Sequence, residues 1–179
     1  MDLIIRKYGG TSVSSIKKIK EIAQKTKDDI NNNKNILIVV SAMGNSTDEL
    51  LQKANQISKS PNQRELDLLM SSGELISSTL LSMALQEIGI QSKSLTGFQA
   101  GIDTNASYGQ AEIQSINNDR LLKEINKGNT LVIAGFQGFN KNLEITTLGR
   151  GGSDTTAVAI AASLQGSVCE IYTDVKGIY

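Results

Sequence analysis

Six consecutive residues, "NILIVV" at 35–40, limit what this chain can fold into more than any other stretch. The run is almost wholly apolar and lacks the alternation of a strand with one wet face, so it belongs in a sheet covered on both sides. Similar short runs recur as "LIIRKY" (3–8), "SKSLTG" (92–97), "TLVIAG" (130–135) and "VCEIYT" (168–173). Between them lie segments with helical spacing. Val13, Ile16, Ile19, Ile22 and Ala23 form one stripe, and Leu50, Leu51, Ala54 and Ile57 form another. Leu66, Leu69 and Met70 open a third, which resumes after "SSG" with Leu75, Ile76, Leu80, Leu81 and Ala84. A short helix in "NDRLLKEINKG" (118–128) has Gly128 placed as its C′ residue. The resulting order, βαβααβ…αβαβ, predicts a three-layer α/β/α domain with a largely parallel central sheet.

The chemistry open to such a domain is narrowed by what is missing. The 179 residues contain no histidine. That excludes Ser-His-Asp and Cys-His catalysis and the histidine zinc motifs at once. One cysteine, Cys169, allows neither an internal disulfide nor a multi-cysteine metal site, and its apolar setting reads as an inert thiol. Eighteen Lys+Arg balance eighteen Asp+Glu, so no basic excess points to nucleic acid or an anionic membrane. No apolar run is read as approaching the roughly 20 residues of a membrane span, and "MDLIIRKYGG" lacks the features of a secretory signal. The expectation is a cytoplasmic protein without a nucleic-acid or membrane partner.

Four polar stretches fall where ligands bind in α/β sheets, beyond the carboxyl ends of strands. In "RKYGGTSV" (6–13), Lys7 ends a strand, Gly9 and Gly10 turn the chain, and Thr11 and Ser12 cap the next helix. This is either a phosphate loop or a plain strand-to-helix turn. In "VVSAMGNSTDEL" (39–50), Ser41 leaves a strand, Ser46 and Glu49 have capping-box spacing, and Thr47 offers a hydroxyl in the first turn. Glu74 is the lone charge between Met70 and Leu85, and is either a solvated surface group or a buried acceptor for a cation. In "TTLGRGGSDTTAVAIAASL" (146–164), Gly151 and Gly152 precede a helix that starts at Ser153 or Asp154. Ala157, Val158, Ile160, Ala161 and Leu164 are read as that helix's packed face. Arg150 then stands at the positive helix end, suited to gripping a carboxylate, with Asp154 beside it. A lysine loop, an arginine and a carboxylate together suit a small amino acid and a nucleoside triphosphate. Phosphorylation of a carboxylate fits a chain without histidine, because that nucleophile is already ionised.

Read in order, "KYGGTSV", "VVSAMGNSTDELL", "SSGELIS", "TGFQAGI", "VIAGFQG", "TTLGRGGSDTTAVAIAASL" and "CEIYTDVKGIY" resemble the aspartate kinases, members of the amino-acid-kinase fold, along essentially the whole chain. The resemblance implies transfer of the ATP γ-phosphoryl group to L-aspartate, giving 4-phospho-L-aspartate on the route to lysine, threonine, methionine and diaminopimelate. It assigns Lys7 and Asp154 to catalysis, and Gly9 and Gly10 to the phosphates. Arg150 takes the α-carboxylate of aspartate, Glu74 its amino group, and Ser41, Thr47 and Ser153 complete the pocket. Thr173, Asp174 and Tyr179 begin the adenine-nucleotide site. Mg²⁺ arrives on ATP, with no metal site of the chain's own. Tyr8 and Lys176 depart from residues common in the family.

The same resemblance makes residues 1–179 a catalytic domain truncated before its last elements, without the regulatory ACT domains. It implies a homo-oligomeric full-length form and an inactive or nearly inactive fragment. The competing reading is a non-catalytic fragment that holds aspartate. A dinucleotide-binding oxidoreductase is disfavoured by the absence of G-x-G-x-x-G after the first strand.

Overall fold

The computed structural model describes residues 3–32, 34–165 and 168–173. All five apolar runs become strands of one parallel sheet. β1 (Leu3–Tyr8), β2 (Asn35–Val40), β3 (Ser92–Leu95), β6 (Thr130–Ala134) and β9 (Val168–Tyr172) lie in the order β3-β6-β2-β1-β9. Alternate residues of the strands feed two cores. On one face Leu3, Ile5, Leu37, Val39, Leu131 and Ile133 meet Leu121 of α4 (Asp119–Asn126) and Ala157 and Ile160 of α5 (Gly152–Ser163). On the other, Ile36, Ile38, Val40 and Val132 meet Ile19 and Ile22 of α1 (Ile16–Asn31) and Leu81 and Leu85 of α3 (Gln63–Glu87). This is the three-layer α/β/α arrangement expected.

A second, mixed sheet was not foreseen. β4 (Ile102–Thr104), β5 (Ile113–Ile116), β7 (Gln137–Phe139) and β8 (Ile145–Thr147) form it in the order β5-β4-β7-β8. Two inserts thus fold together beside the cleft, one after β3 and one after β6.

The helices depart from expectation in instructive ways. α3 does not pause at "SSG" but runs unbroken for 25 residues. Gly73 makes this possible, since a Cβ there would lie 2.8 Å from the Ala42 Cβ. The buried face of α3 is rich in small polar groups, including Ser71, Ser77, Ser78 and Ser82, while Leu75 and Ile76 point outward with Leu68 and Met83. By length and composition α3 is the one helix among the described residues able to cross a membrane, contrary to the sequence reading. It lies instead along the sheet against β2, β3 and β6. α1 starts later than Thr11 and Ser12, because residues 9–13 close a turn through the Gly9 carbonyl, and Ser15 becomes the cap, accepting from the Lys18 amide at 3.3 Å. The capping box at Ser46 and Glu49 is not formed: Asn45 precedes α2 (Ser46–Ile57), and the Ser46 hydroxyl donates back to the Met43 carbonyl at 2.6 Å. On α5, Val158 is exposed and Thr156 takes its place in the core. Gly128 does sit just past α4 at φ 83°.

Arg6 joins three elements in the interior. With 2% of its surface exposed, its Nη1 donates to Asp29 of α1 at 2.6 Å and its Nε to Glu170 of β9 at 2.7 Å. Burial would lower its pKa, but hydrogen bonds to the two carboxylates raise it above the usual arginine range.

Candidate functional site

Strand parity decides where Lys7 goes. It shares a face of β1 with Leu3 and Ile5, the face that α5 covers, and so its chain runs towards the start of that helix. There Asp154 receives it in an ion pair, Nζ to Oδ1 at 2.7 Å, with Lys7 only 9% exposed. Asp154 also stands in the first turn of α5, where a carboxylate complements the positive helix end. The helix begins at Gly152, one residue before the expected start, with Gly151 capping it in the left-handed region at φ 76°.

A cleft of about 320 Å³ opens at these strand ends. Lys7, Gly10, Ser41, Thr47, Glu74, Arg150, Gly151, Gly152, Ser153 and Asp154 all line it, so ten residues singled out in the sequence meet in one place. Gly10 is needed there for contact reasons: a Cβ would fall 2.8 Å from the Ala42 carbonyl oxygen. Gly9 lies beside the Lys7 amino group without lining the cleft, and its amide already donates to the Tyr172 carbonyl at 3.4 Å. Of the two glycines assigned to the phosphates, Gly9 thus has its amide already engaged. Thr173 follows β9 and does not line the cleft, while Asp174 and Tyr179 lie outside the described residues.

Glu74 is the buried acceptor of the two alternatives. It is 3% exposed, and its Oε1 accepts from the Ala42 amide at 3.0 Å. Its Oε2 is buried without a hydrogen-bond partner among the described residues. Burial pushes its pKa up to about 7, against the lowering effect of the Ala42 amide. One turn on, Ser77 donates to the Ser41 carbonyl at 2.7 Å, so α3 holds the loop after β2 at two points. Arg150 is exposed and makes no ion pair with any described residue.

Sequence reasoning missed Phe136. It lines the cleft at φ 68°, a region costly for an aromatic residue. Its amide donates to Thr156 Oγ1 at 3.1 Å and its carbonyl accepts from the Leu148 amide at 2.9 Å, which together hold that conformation. Its place just past β6, in "VIAGFQG", is the one signal that could have raised it.

The amino acid kinase family model matches residues 2–179. The chain belongs to the amino acid kinase family. Among its relatives, Aspartokinase 2 of Bacillus subtilis is 50% identical and the aspartokinase of Bacillus sp. strain MGA3 49%, each over the whole chain. This family member spans 44% of the length of those relatives. Among solved structures, aspartate kinase from Synechocystis superposes with a TM-score of 0.86 at 49% identity, over 98% of this chain and 28% of the other. E. coli aspartokinase III, solved with aspartate and ADP, matches with a TM-score of 0.84 at 26% identity, over 99% of this chain and 50% of the other.

Proposed function

We propose that this chain forms the aspartate-holding and phosphoryl-transfer centre of an aspartate kinase, which converts ATP and L-aspartate to ADP and 4-phospho-L-aspartate. The observation that carries this reading is the charge pattern around the cleft. Among the described residues, a guanidinium without an ion-pair partner, a buried carboxylate with one unpaired oxygen and a carboxylate-held ammonium face one space.

Each of these groups suits one part of the reaction. Arg150 binds the α-carboxylate of aspartate, and Glu74 Oε2 accepts from its ammonium, with Ser41, Thr47 and Ser153 filling the walls. The side-chain carboxylate then faces Lys7. One of its oxygens forms the new bond to the γ-phosphorus as the bond from that phosphorus to the β–γ bridging oxygen breaks, and the electron pair leaves with ADP. No proton has to move, which accounts for a site built without a general base. Lys7 offsets charge on the transferring group, and Asp154 holds the lysine in place. Mg²⁺ brought by ATP would neutralise phosphate charge. Gly10, with Gly9 next to it in the chain, lets the phosphates approach, and the family resemblance gives Thr173, Asp174 and Tyr179 to the adenine nucleotide.

Coupled ADP-release kinetics and aspartate calorimetry on the intact protein test this. Lys7→Ala is expected to lower kcat by roughly 10²–10³-fold, the range for removing one charge-stabilising donor, with aspartate affinity within a few-fold. Equal losses in both would make Lys7 a binding residue. Aspartate binding without any ADP release would favour the non-catalytic alternative.

A further inference from the structure

Asp67 lies two turns before Glu74 on the same face of α3 and is 1% exposed. No cation neutralises it among the described residues; three donors do the work instead. Its Oδ2 accepts from the Thr147 amide at 2.8 Å and from the Gly109 amide at 3.0 Å, and its Oδ1 accepts from the Thr147 hydroxyl at 3.0 Å. Thr147 ends β8, three residues before Arg150. Gly109 belongs to the loop on which the Arg150 segment rests, since a Cβ on Gly149 would stand 3.2 Å from the Gly109 carbonyl oxygen. The Ala111 amide closes the same junction by donating to the Thr147 carbonyl at 2.8 Å.

The geometry points to Asp67 as a positioning residue that sets the distance between Arg150 and Glu74. Both are held from one rigid helix: Glu74 directly, and Arg150 through the backbone that Asp67 ties down. The inference rests on the proposed grip of aspartate by these two groups. Because they would take the carboxylate and the ammonium of one α-carbon, a loop shifted by about an ångström spoils the fit. The effect falls on aspartate binding. ATP and the Lys7–Asp154 pair are reached from β1 and α5, which Asp67 does not touch. A carboxylate suits the post because all three partners are donors and it is a pure acceptor. Asparagine comes close, since its carbonyl oxygen can keep both amides while the Thr147 hydroxyl turns to accept from its NH₂.

The test is a double-mutant cycle in the intact protein, read by ADP release with both KM values. Asp67→Ala is expected to raise the aspartate KM about tenfold or more, the cost of orphaning buried donors, with the ATP KM and kcat at saturating aspartate within about twofold. Asp67→Asn is expected to recover most of that loss. In an Arg150→Ala background, which itself raises the aspartate KM, Asp67→Ala is expected to add little further. A full additional rise there, a parallel rise in the ATP KM, or a parent-like Asp67→Ala overturns the assignment. If Asp67→Ala does not fold, Thr147→Val replaces it in the cycle: a smaller rise in the aspartate KM that vanishes without Arg150 supports the role, and no rise overturns it. If Arg150→Ala leaves the aspartate KM unchanged, or the parent shows no aspartate-dependent turnover, the underlying functional reading fails instead.

Discussion

Glu74 concentrates the site's chemistry in one carboxyl group. Its pKa of about 7 stems from burial, and it carries a definite pH signature. The folded value lies above the ordinary one, so the stability it contributes is complete below the unfolded pKa near 4.5 and is lost as pH rises through about 7. In the unliganded protein the slope from this group approaches, at most, about 1.4 kcal/mol per pH unit within that window. Thermal unfolding from pH 4.5 to 8 should show this decline, and Glu74→Gln should flatten it. Arrival of the aspartate ammonium would favour the ionised form, so binding near pH 6 should release up to one proton from Glu74. Calorimetry in buffers of different ionisation enthalpy reads that release, and a value unchanged by Glu74→Gln would remove Glu74 from the ammonium site. From the sequence, Glu74 stood out by isolation but not by burial, because a lone charge on a helix face has no depth until the partner loop is known. Asp67 left no trace at all, since its three partners are 42 and 80 residues away. Lys7 and Ser41 were legible as site candidates because they end or follow segments whose hydrophobic pattern located the strand ends, and Arg150 because it stands just before the Gly151-Gly152 opening of an apolar helix.

At the scale of elements, α3 shows how two opposing effects are weighed. Gly→Ala within a helix ordinarily gains about 1 kcal/mol. At Gly73 the added methyl would stand 2.8 Å from the Ala42 Cβ, and overpacking of this kind costs about 1–3 kcal/mol. Gly73→Ala is therefore expected to be destabilising by about 1 kcal/mol and to weaken aspartate binding, because the Ala42 amide also holds Glu74. Urea unfolding with calorimetry decides the sign. The continuity of α3 was hidden for the same reason: "SSG" looks like a break until Ala42 is seen against it. The parallel strands were readable because β1, β2 and β6 are largely apolar on both faces. The smaller sheet was not. "IDT", "IQSI", "QGF" and "ITT" are too short to show a period, and their pairing comes from inserts separated in sequence.

For the molecule as a whole, the ionic contacts around Arg6 oppose the pH trend of Glu74. Asp29 is held below its ordinary pKa by hydrogen bonds from Lys34 and Arg6. Glu170 is also lowered, burial being outweighed by hydrogen bonds from Arg6 and Tyr172. Their stabilisation is present above the unfolded carboxylate values and is lost as pH falls through the depressed ones. Stability of the unliganded protein should thus rise with pH on an acid limb to which Asp29 and Glu170 contribute, and decline on a neutral limb between about 4.5 and 7 to which Glu74 contributes. A Tm profile across pH 3–8 checks this, and Arg6→Met should shrink the acid limb while leaving the neutral one.

The place of β1 between β2 and β9 matters for biogenesis. One edge of β1 finds its partner within about 30 residues, whereas the Arg6–Glu170 contact spans 164. At 5–20 residues per second, a ribosome would leave that second edge bare for roughly 10–30 s. An apolar strand with one open edge, its Arg6 paired with Asp29 but still lacking Glu170, is a natural client for chaperones through that interval, and a nascent chain stalled before β9 would expose that edge to its neighbours.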